Sequence, residues 1–340
     1  MLSKSKRFSP VQLFVILLLS SFLVVGAAGC GDNSTTGTKT GTQTIRVGYF
    51  PNITHVQPLV GLQDGTFERV MGDGVTIDQK TFNAGPAELE ALLSDSLDIG
   101  YIGPGPAYNG YIKSDGKIRI VAGAANGGAM LVVRPEANIK TIRDLAGKKV
   151  AVPQFGNTQD ISLRKLLDEN GLKTADKGGT VQVLQVANPD TLALFSKGEL
   201  DAALLPEPWG TRLLQQGDGQ MLLDWDQLGY GQNYPVTVLV VRREFLEEHP
   251  DLVEKWLEGH RQVTEQIKGE PQKAKALLNQ GFAQITGKPM PTELLDQAFT
   301  KIVVTNDPSL ASIDDMAQVS LRNGYVKKTV PVEKLWVTVP

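Results

Sequence analysis

The stretch Val150-Ala-Val-Pro-Gln-Phe-Gly-Asn-Thr-Gln-Asp160 predicts the unit from which this fold is built. Its first three residues are typical of a buried strand, the proline ends that strand, and a helix is expected to begin near Thr158. Gly156 would let a ligand approach the backbone closely, and Asn157 or Thr158 would cap the helix. Free N–H groups at a helix start suit an oxyanion, although an ordinary strand–turn–helix connection has the same sequence pattern.

The same strand–loop–helix pattern recurs in the first half of the chain. Strands are predicted at 44–50, 75–82, 97–102 and 118–122, and each ends in a small polar or Gly/Pro loop. Each loop alone is an ordinary turn, but ligands of open α/β sheets gather at the carboxyl ends of the strands. We therefore predict a ligand cleft, with candidate contacts at Asn52, Thr54, His55, Gly85, Gly103, Gly105 and Asn126. His55 could instead be a solvated loop histidine, or act as a pH switch.

Loops in the second half follow predicted strands at 150–152, 181–186 and 200–205. They supply further candidate contacts at Gln154, Gly156, Asn157, Thr158, Gln159, Asn188, Glu207 and Trp209. Glu207 could bind a cationic part of a ligand or cap the next helix. Trp209 could stack on an organic ligand or be a buried structural residue.

The order of these elements predicts an α/β protein with two lobes. Each lobe is expected to be a mostly parallel sheet flanked by helices. Two apolar strands, near residues 130–134 and 236–242, would join the lobes as a hinge. Lobe 1 would then comprise residues 44–133 and 237–340, and lobe 2 residues 134–236.

The N-terminus has the pattern of an export signal, predicted for residues 1–29. Three basic residues precede an apolar run at 11–25, and small residues then lead to Cys30, the only cysteine. A lone cysteine after small residues resembles the bacterial lipoprotein processing site, although Ala27 stands where leucine is usual. Cys30 is therefore the predicted lipidation site, and a plain secretory signal is the alternative. Residues 30–43 are small and polar, which predicts a flexible tether.

Composition excludes several classes of function. The formal charge of the whole chain is −3 and no basic stretch is present, so nucleic-acid binding is not expected. One cysteine allows no intrachain disulfide. We find no Gly-x-Ser-x-Gly motif and no metal-ligand motif, so no catalytic residue, metal or cofactor is predicted.

Several segments resemble the nitrate/sulfonate/taurine branch of the ABC-transporter solute-binding proteins, which have the type II periplasmic-binding-protein fold. The similarity spans roughly residues 44–328. These segments are Val47-Gly-Tyr-Phe-Pro-Asn52, Phe82-Asn-Ala-Gly-Pro86, Asp98-Ile-Gly-Tyr-Ile-Gly-Pro-Gly-Pro-Ala107, Leu145-Ala-Gly-Lys-Lys-Val-Ala-Val152, Gly156-Asn-Thr-Gln159, Asp201-Ala-Ala-Leu-Leu-Pro-Glu-Pro-Trp209 and Phe245-Leu-Glu-Glu-His-Pro250.

The resemblance implies an extracytoplasmic receptor, held at the membrane by a lipid on Cys30, that closes around a small anion. An aliphatic sulfonate is the expected ligand, with nitrate or taurine next, and the membrane subunits of an ABC permease are the expected partners. A monomer is the default for this family. The alternatives are an enzyme on the same scaffold, a receptor for thiamine- or riboflavin-type precursors, and a sensor domain that acts through a separate partner.

Overall fold

The computed structural model describes residues 43–339, and these residues form eleven strands and twelve α-helices. The predicted export signal, Cys30 and the tether up to residue 42 lie outside the described residues. In the part of the chain that is described, no helix is both long and apolar enough to cross a membrane.

Eleven strands build two separate sheets. The strands are β1 (Gln43–Tyr49), β2 (Val75–Thr81), β3 (Ile99–Ile102), β4 (Ile118–Gly127), β5 (Ala129–Val133), β6 (Lys149–Val152), β7 (Gln182–Gln185), β8 (Ala202–Pro206), β9 (Gln220–Leu223), β10 (Pro235–Arg242) and β11 (Ile302–Val304). The first sheet has the order β11-β4-β10-β3-β1-β2, and the second has the order β7-β6-β8-β5-β9. We call the two halves lobe 1 and lobe 2 after these sheets.

Both sheets are mixed, although most strands in each run the same way. In lobe 1, β10 and β11 are antiparallel to their neighbours, and β1 pairs in parallel with β2 and β3. In lobe 2, only β5 runs against the rest among the described strands. The predicted two-lobe α/β architecture is confirmed in this form.

The chain changes sheets at positions that differ slightly from the predicted boundaries. It leaves the first sheet between β4 and β5, at Gly127 and Gly128, and it returns just before Pro235. Both glycines have positive φ values, 76° and 63°, a backbone geometry that ends the β4 ladder. The segment 129–133 therefore belongs to lobe 2. An apolar run shows that a strand is buried, but not which of two cores it joins.

Helices cover both faces of the sheets. They are α1 (Val56–Gly61), α2 (Thr66–Met71), α3 (Gly85–Leu93), α4 (Pro104–Lys113), α5 (Thr158–Glu169), α6 (Asn188–Ser196), α7 (Trp209–Gln216), α8 (Arg243–Glu248), α9 (Pro250–Gly269), α10 (Pro271–Thr286), α11 (Thr292–Phe299) and α12 (Leu310–Arg322). Trp256 of α9 stacks on Phe67 of α2 at a ring distance of 4.1 Å, which fastens the C-terminal helices to lobe 1. Helix α12 contacts both α4 and α5, so it touches both lobes.

Glu88 of α3 is an unusual buried acid in lobe 1. It is fully buried against Gly48 and Gly100, which face each other on β1 and β3. Neither carboxyl oxygen has a hydrogen-bond partner among the described residues. Burial raises the pKa of Glu88 well above its ordinary value of 4.5, because the charged form is poorly solvated there.

We expect the contribution of Glu88 to the free energy of unfolding to fall as pH rises above 4.5, the ordinary pKa of a glutamate. A carboxyl whose pKa is raised in the folded state stabilises fully below its unfolded pKa, and loses that contribution as pH rises through the folded pKa. Glu88→Gln should remove this slope, so its melting temperature should fall less than that of wild type as pH rises from 5 to 8. Glu90→Gln, an exposed position on the same helix, is the control. An unchanged slope in Glu88→Gln would contradict the assignment.

Candidate ligand-binding cleft

Four helices begin at one place between the two sheets. Helices α3 and α4 follow the carboxyl ends of β2 and β3 in lobe 1, and α5 and α6 follow those of β6 and β7 in lobe 2. Their first turns surround a small inner chamber of about 20 Å³. Its lining consists of Phe50, Asn52, Thr54, His55, Asn83, Ala84, Gly85, Gly103, Pro106, Pro153, Asn157, Thr158, Gln159, Asn188, Pro206 and Val236.

The inner chamber offers polar donors but no charged side chain from the described residues. Among residues 43–339, no lysine, arginine, aspartate or glutamate belongs to its lining. Each helix N-terminus contributes a fixed partial charge of roughly +0.5. The electrostatic environment therefore favours an anion, although no cationic side chain is present to pair with it.

Helix α5 is the best source of backbone N–H donors. Helices α3, α4 and α6 each have a proline in the first turn, which lacks an N–H group. Helix α5 has none there. Its first helical bond runs from Ile161 N–H to Asn157 C=O (3.1 Å), so the N–H groups of Thr158 and Gln159 have no intrahelical partner.

The side chains at the start of α5 leave one hydroxyl free. Of the two predicted caps, Asn157 is the one that forms, since its Oδ1 accepts from Asp160 N–H (2.8 Å). Its Nδ2 donates to Gln159 Oε1 (3.0 Å). Thr158 Oγ1 is buried and has no partner among residues 43–339. A buried hydroxyl left unpaired costs free energy, and a ligand would recover it.

His55 is a neutral imidazole whose Nε2–H group is available as a hydrogen-bond donor. It is fully buried beside Phe50, whose backbone N–H donates to Nδ1 (3.2 Å). Burial lowers the pKa of His55 to about 3, so the ring is neutral near pH 7 and its proton sits on Nε2. The buried position argues against a solvated loop histidine, and the low pKa argues against a pH switch in the neutral range.

Asparagine side chains line the chamber from both lobes. Asn52 Oδ1 accepts from Trp209 Nε1 (2.7 Å). The Nδ2 of Asn52 donates to no other described residue and is available to a ligand. Asn188 Oδ1 is buried and has no hydrogen-bond partner among the described residues. Thr54 also lines the chamber and is buried. The Asn52 amide and the Thr54 hydroxyl can donate to a ligand from lobe 1, whereas Asn188 Oδ1 of lobe 2 is an acceptor.

The lobes are in direct contact across the cleft, so the structure shows a closed form. Besides the Trp209–Asn52 bond, Ile53 N–H donates to the carbonyl of Glu207 (3.1 Å). Gly103 of lobe 1 lies against Thr158 of lobe 2. Gly105 likewise packs against the end of the Ile161 side chain. It therefore allows close contact between α4 and α5 and does not line the chamber.

Five other predicted residues also lie outside the inner chamber, namely Glu207, Gly156, Asn126, Gln154 and Trp209. Glu207 caps α7 by accepting from Thr211 N–H (3.1 Å) and Oγ1 (2.8 Å), and burial raises its pKa to about 7. Gly156 forms a left-handed turn (φ 76°) whose N–H donates to Asp160. Asn126 donates to Ser309 Oγ (3.3 Å). Gln154 accepts the N–H of Asn157 through its carbonyl.

A larger outer chamber of about 660 Å³ adjoins the inner one. Trp209 lies in its wall, not in the inner chamber. Sequence reasoning missed most of its lining, including Arg212 of α7, Phe282 and Ile285 of α10, and Lys288 beyond it. Their spacing is that of ordinary amphipathic helices, which gives no signal for a ligand site.

We expect Trp209→Phe to weaken ligand binding about fivefold to tenfold, because it removes one buried hydrogen bond present only in the closed form. The melting temperature without ligand should change little. Trp336→Phe, a half-buried tryptophan beside β4, is the matched control. Titration calorimetry of both variants measures the difference. Equal affinities in the two variants would show that the Trp209–Asn52 bond contributes nothing to closure.

Known proteins share both this sequence pattern and this fold. A protein of Brucella abortus named as a binding protein is 28% identical over 214 residues, 63% of each chain. The taurine-binding periplasmic protein of Escherichia coli is 31% identical over 195 residues, 57% of this chain and 58% of that one. The alkanesulfonate-binding protein SsuA of Xanthomonas axonopodis, solved with bound MOPS, superposes with a TM-score of 0.72 at 19% identity, over 88% of this chain and 99% of that one.

Two α/β lobes closed over a cleft, with this superposition, define a periplasmic-binding-protein fold. Residues 38–280 match the NMT1-like family, and the chain belongs to that family. The relatives described above are all named as binding proteins. The match spans 63% of the length of the Brucella relatives, which is less than two thirds.

Proposed function

We propose that this protein is the extracytoplasmic solute-binding component of an ABC importer and that it captures an aliphatic sulfonate. The observation that carries this proposal is the inner chamber, which combines four helix N-termini with neutral donors and has no charged side chain among its described lining residues. A sulfonate keeps its charge at any physiological pH, so it needs no proton or cation from the protein. Fixed dipoles and N–H groups are enough to hold it.

Closure of the lobes would couple binding to recognition by the permease. The Trp209–Asn52 and Ile53–Glu207 hydrogen bonds join the lobes and require the closed form. An anion between α5 and the lobe 1 loops adds contacts to both lobes at once, so it favours the closed form over the open one. The membrane subunits of the permease would then bind the closed, loaded receptor.

The named relatives support the ligand class. One is a taurine-binding protein and another an alkanesulfonate-binding protein, and both ligands carry a sulfonate group. Nitrate would also suit the neutral chamber, and it remains the second candidate. We further propose that the receptor is a monomer outside the cytoplasm, held to the membrane by a lipid on Cys30.

A thermal-shift panel on the purified protein tests the proposed function. The panel contains alkyl and aryl sulfonates, taurine, nitrate, bicarbonate, phosphonates, and thiamine and riboflavin precursors. A ligand that binds only the folded state should raise the melting temperature by several degrees at about 100-fold excess over its Kd. We expect the largest shift with a sulfonate. A shift caused only by a heterocyclic precursor would refute the proposal that the protein binds an anion. So would a panel in which no compound causes a shift.

We expect Cys30→Ser to move the protein from the membrane fraction to the soluble fraction, because a serine cannot carry the thioether-linked lipid. Fractionation of cells expressing each form, followed by immunoblotting, measures this. Ser34→Ala, a change within the same polar segment, is the control and should stay with the membrane. Identical fractionation of Cys30→Ser and wild type would refute the lipid anchor.

A further inference from the structure

The two chambers are joined by asparagines. Asn52, Asn83 and Asn188 line both the inner chamber and the outer one. The inner chamber of about 20 Å³ has room for little more than a small anionic group. If a sulfonate occupies it, as proposed above, the organic remainder of the ligand must lie in the outer chamber of about 660 Å³.

The outer chamber has apolar walls and two cationic side chains. Phe82, Trp209, Phe282 and Ile285 provide surface for a carbon chain or ring. Arg212 and Lys288 also belong to the lining, whereas no aspartate or glutamate of the described chain does. The charge in the outer chamber is therefore positive, in contrast to the neutral inner chamber.

Arg212 is held in place but not neutralised. Its guanidinium lies 4.7 Å from the centre of the Trp209 ring, and Trp209 in turn donates to Asn52 at the junction of the chambers. Arg212 forms no ion pair with another described residue, and its Nε is buried without a hydrogen-bond partner among residues 43–339. A guanidinium in this state suits a carboxylate, which it can bind through two parallel hydrogen bonds.

We infer that the preferred ligand is an organic sulfonate with a second acidic group at its far end, which binds to Arg212 with help from Lys288. This inference rests on the proposed function and names its substrate class. A carboxylate there would meet two cations, and an ammonium would meet the same two cations without an acid to offset them. The site should therefore discriminate against taurine, although a relative is named for taurine.

Three ligands of matched length test this inference by titration calorimetry on the purified protein. They are propane-1-sulfonate, taurine and 3-sulfopropanoate, whose far ends are neutral, cationic and anionic. We expect 3-sulfopropanoate to bind about tenfold more tightly than propane-1-sulfonate, and taurine about tenfold more weakly. Taurine binding as tightly as propane-1-sulfonate, or 3-sulfopropanoate binding no more tightly than it, would overturn the inference.

Two variants test whether Arg212 causes the preference for 3-sulfopropanoate over propane-1-sulfonate. In Arg212→Gln, the ratio of the 3-sulfopropanoate affinity to the propane-1-sulfonate affinity should fall about tenfold, to near one. Arg261→Gln, an exposed arginine on α9, should leave the ratio as in wild type. An unchanged ratio in Arg212→Gln would overturn the assignment to this residue. If none of the three sulfonates binds wild type, the proposed function itself fails and the inference fails with it.

Discussion

Gly103→Val should lower the affinity for the ligand about 100-fold or more, because any side chain at this position obstructs closure of the cleft. A Cβ on Gly103 would overlap Thr158 Oγ1, which belongs to the opposite lobe, and valine adds two methyl groups. The backbone at Gly103 (φ −64°, ψ 145°) suits valine, so the obstruction comes from the contact and not from strain. Overpacking of this kind costs about 1–3 kcal/mol, and in addition the cross-lobe hydrogen bonds are lost.

The free protein should tolerate Gly103→Val, since the lobes can separate to accommodate the side chain. Its melting temperature without ligand should stay within a few degrees of wild type. The control is Gly269→Val, at the end of α9, where a Cβ would meet no atom within 4 Å. Titration calorimetry gives the affinities, and small-angle scattering gives the shape. Wild-type affinity in Gly103→Val would show that ligand binding does not require this contact between the lobes.

Thr158→Val should weaken anion binding about tenfold to 100-fold, whereas Thr158→Ser should stay within about threefold of wild type. Valine has nearly the shape of threonine but lacks the hydroxyl, and serine keeps the hydroxyl but lacks the methyl group. The Thr158 hydroxyl lines the inner chamber and has no other described partner, so a bound anion would be its acceptor.

Both Thr158 variants should keep the helix start intact. The cap of α5 is the Asn157 side chain, and the Thr158 hydroxyl plays no part in it. Circular dichroism and the melting temperature of the free protein serve as the folding check. If valine and serine weaken binding equally, the effect comes from packing against Gly103, and the hydroxyl is not a ligand donor.

Local pattern was enough to predict the architecture and the donor-rich end of lobe 2. Strand Lys149–Val152, the turn at Gly156 and the Asn157 cap follow from a short apolar run, a proline and a capping residue. These signals depend only on residues close together in the chain, so they can be recognised in a single sequence. The same logic gave the repeated strand–loop–helix units whose helix starts meet at the cleft.

Long-range choices could not be predicted in this way. The role of Gly105 depends on which helix lies opposite it, and Gly105 meets Ile161 of the other lobe. The capping role of Glu207 is local by contrast, since its partner Thr211 lies only four residues further along the chain, and capping is one of the two roles that the sequence predicts for Glu207. The outer chamber depends on α10 packing near α7, two helices distant in sequence. Arg212 and Lys288 each resemble ordinary surface cations in the sequence, and only the tertiary fold brings them to one cavity.

The most direct test of a neutral anion site is a crystal structure of the complex with propane-1-sulfonate, with the sulfur located by anomalous scattering. We predict the sulfonate in the inner chamber, with its oxygens accepting from the N–H groups of Thr158 and Gln159 and from His55 Nε2, and with no lysine or arginine in contact. A sulfonate paired with Arg212 or Lys288 in the outer chamber would show that side-chain cations, and not helix N-termini, hold the ligand.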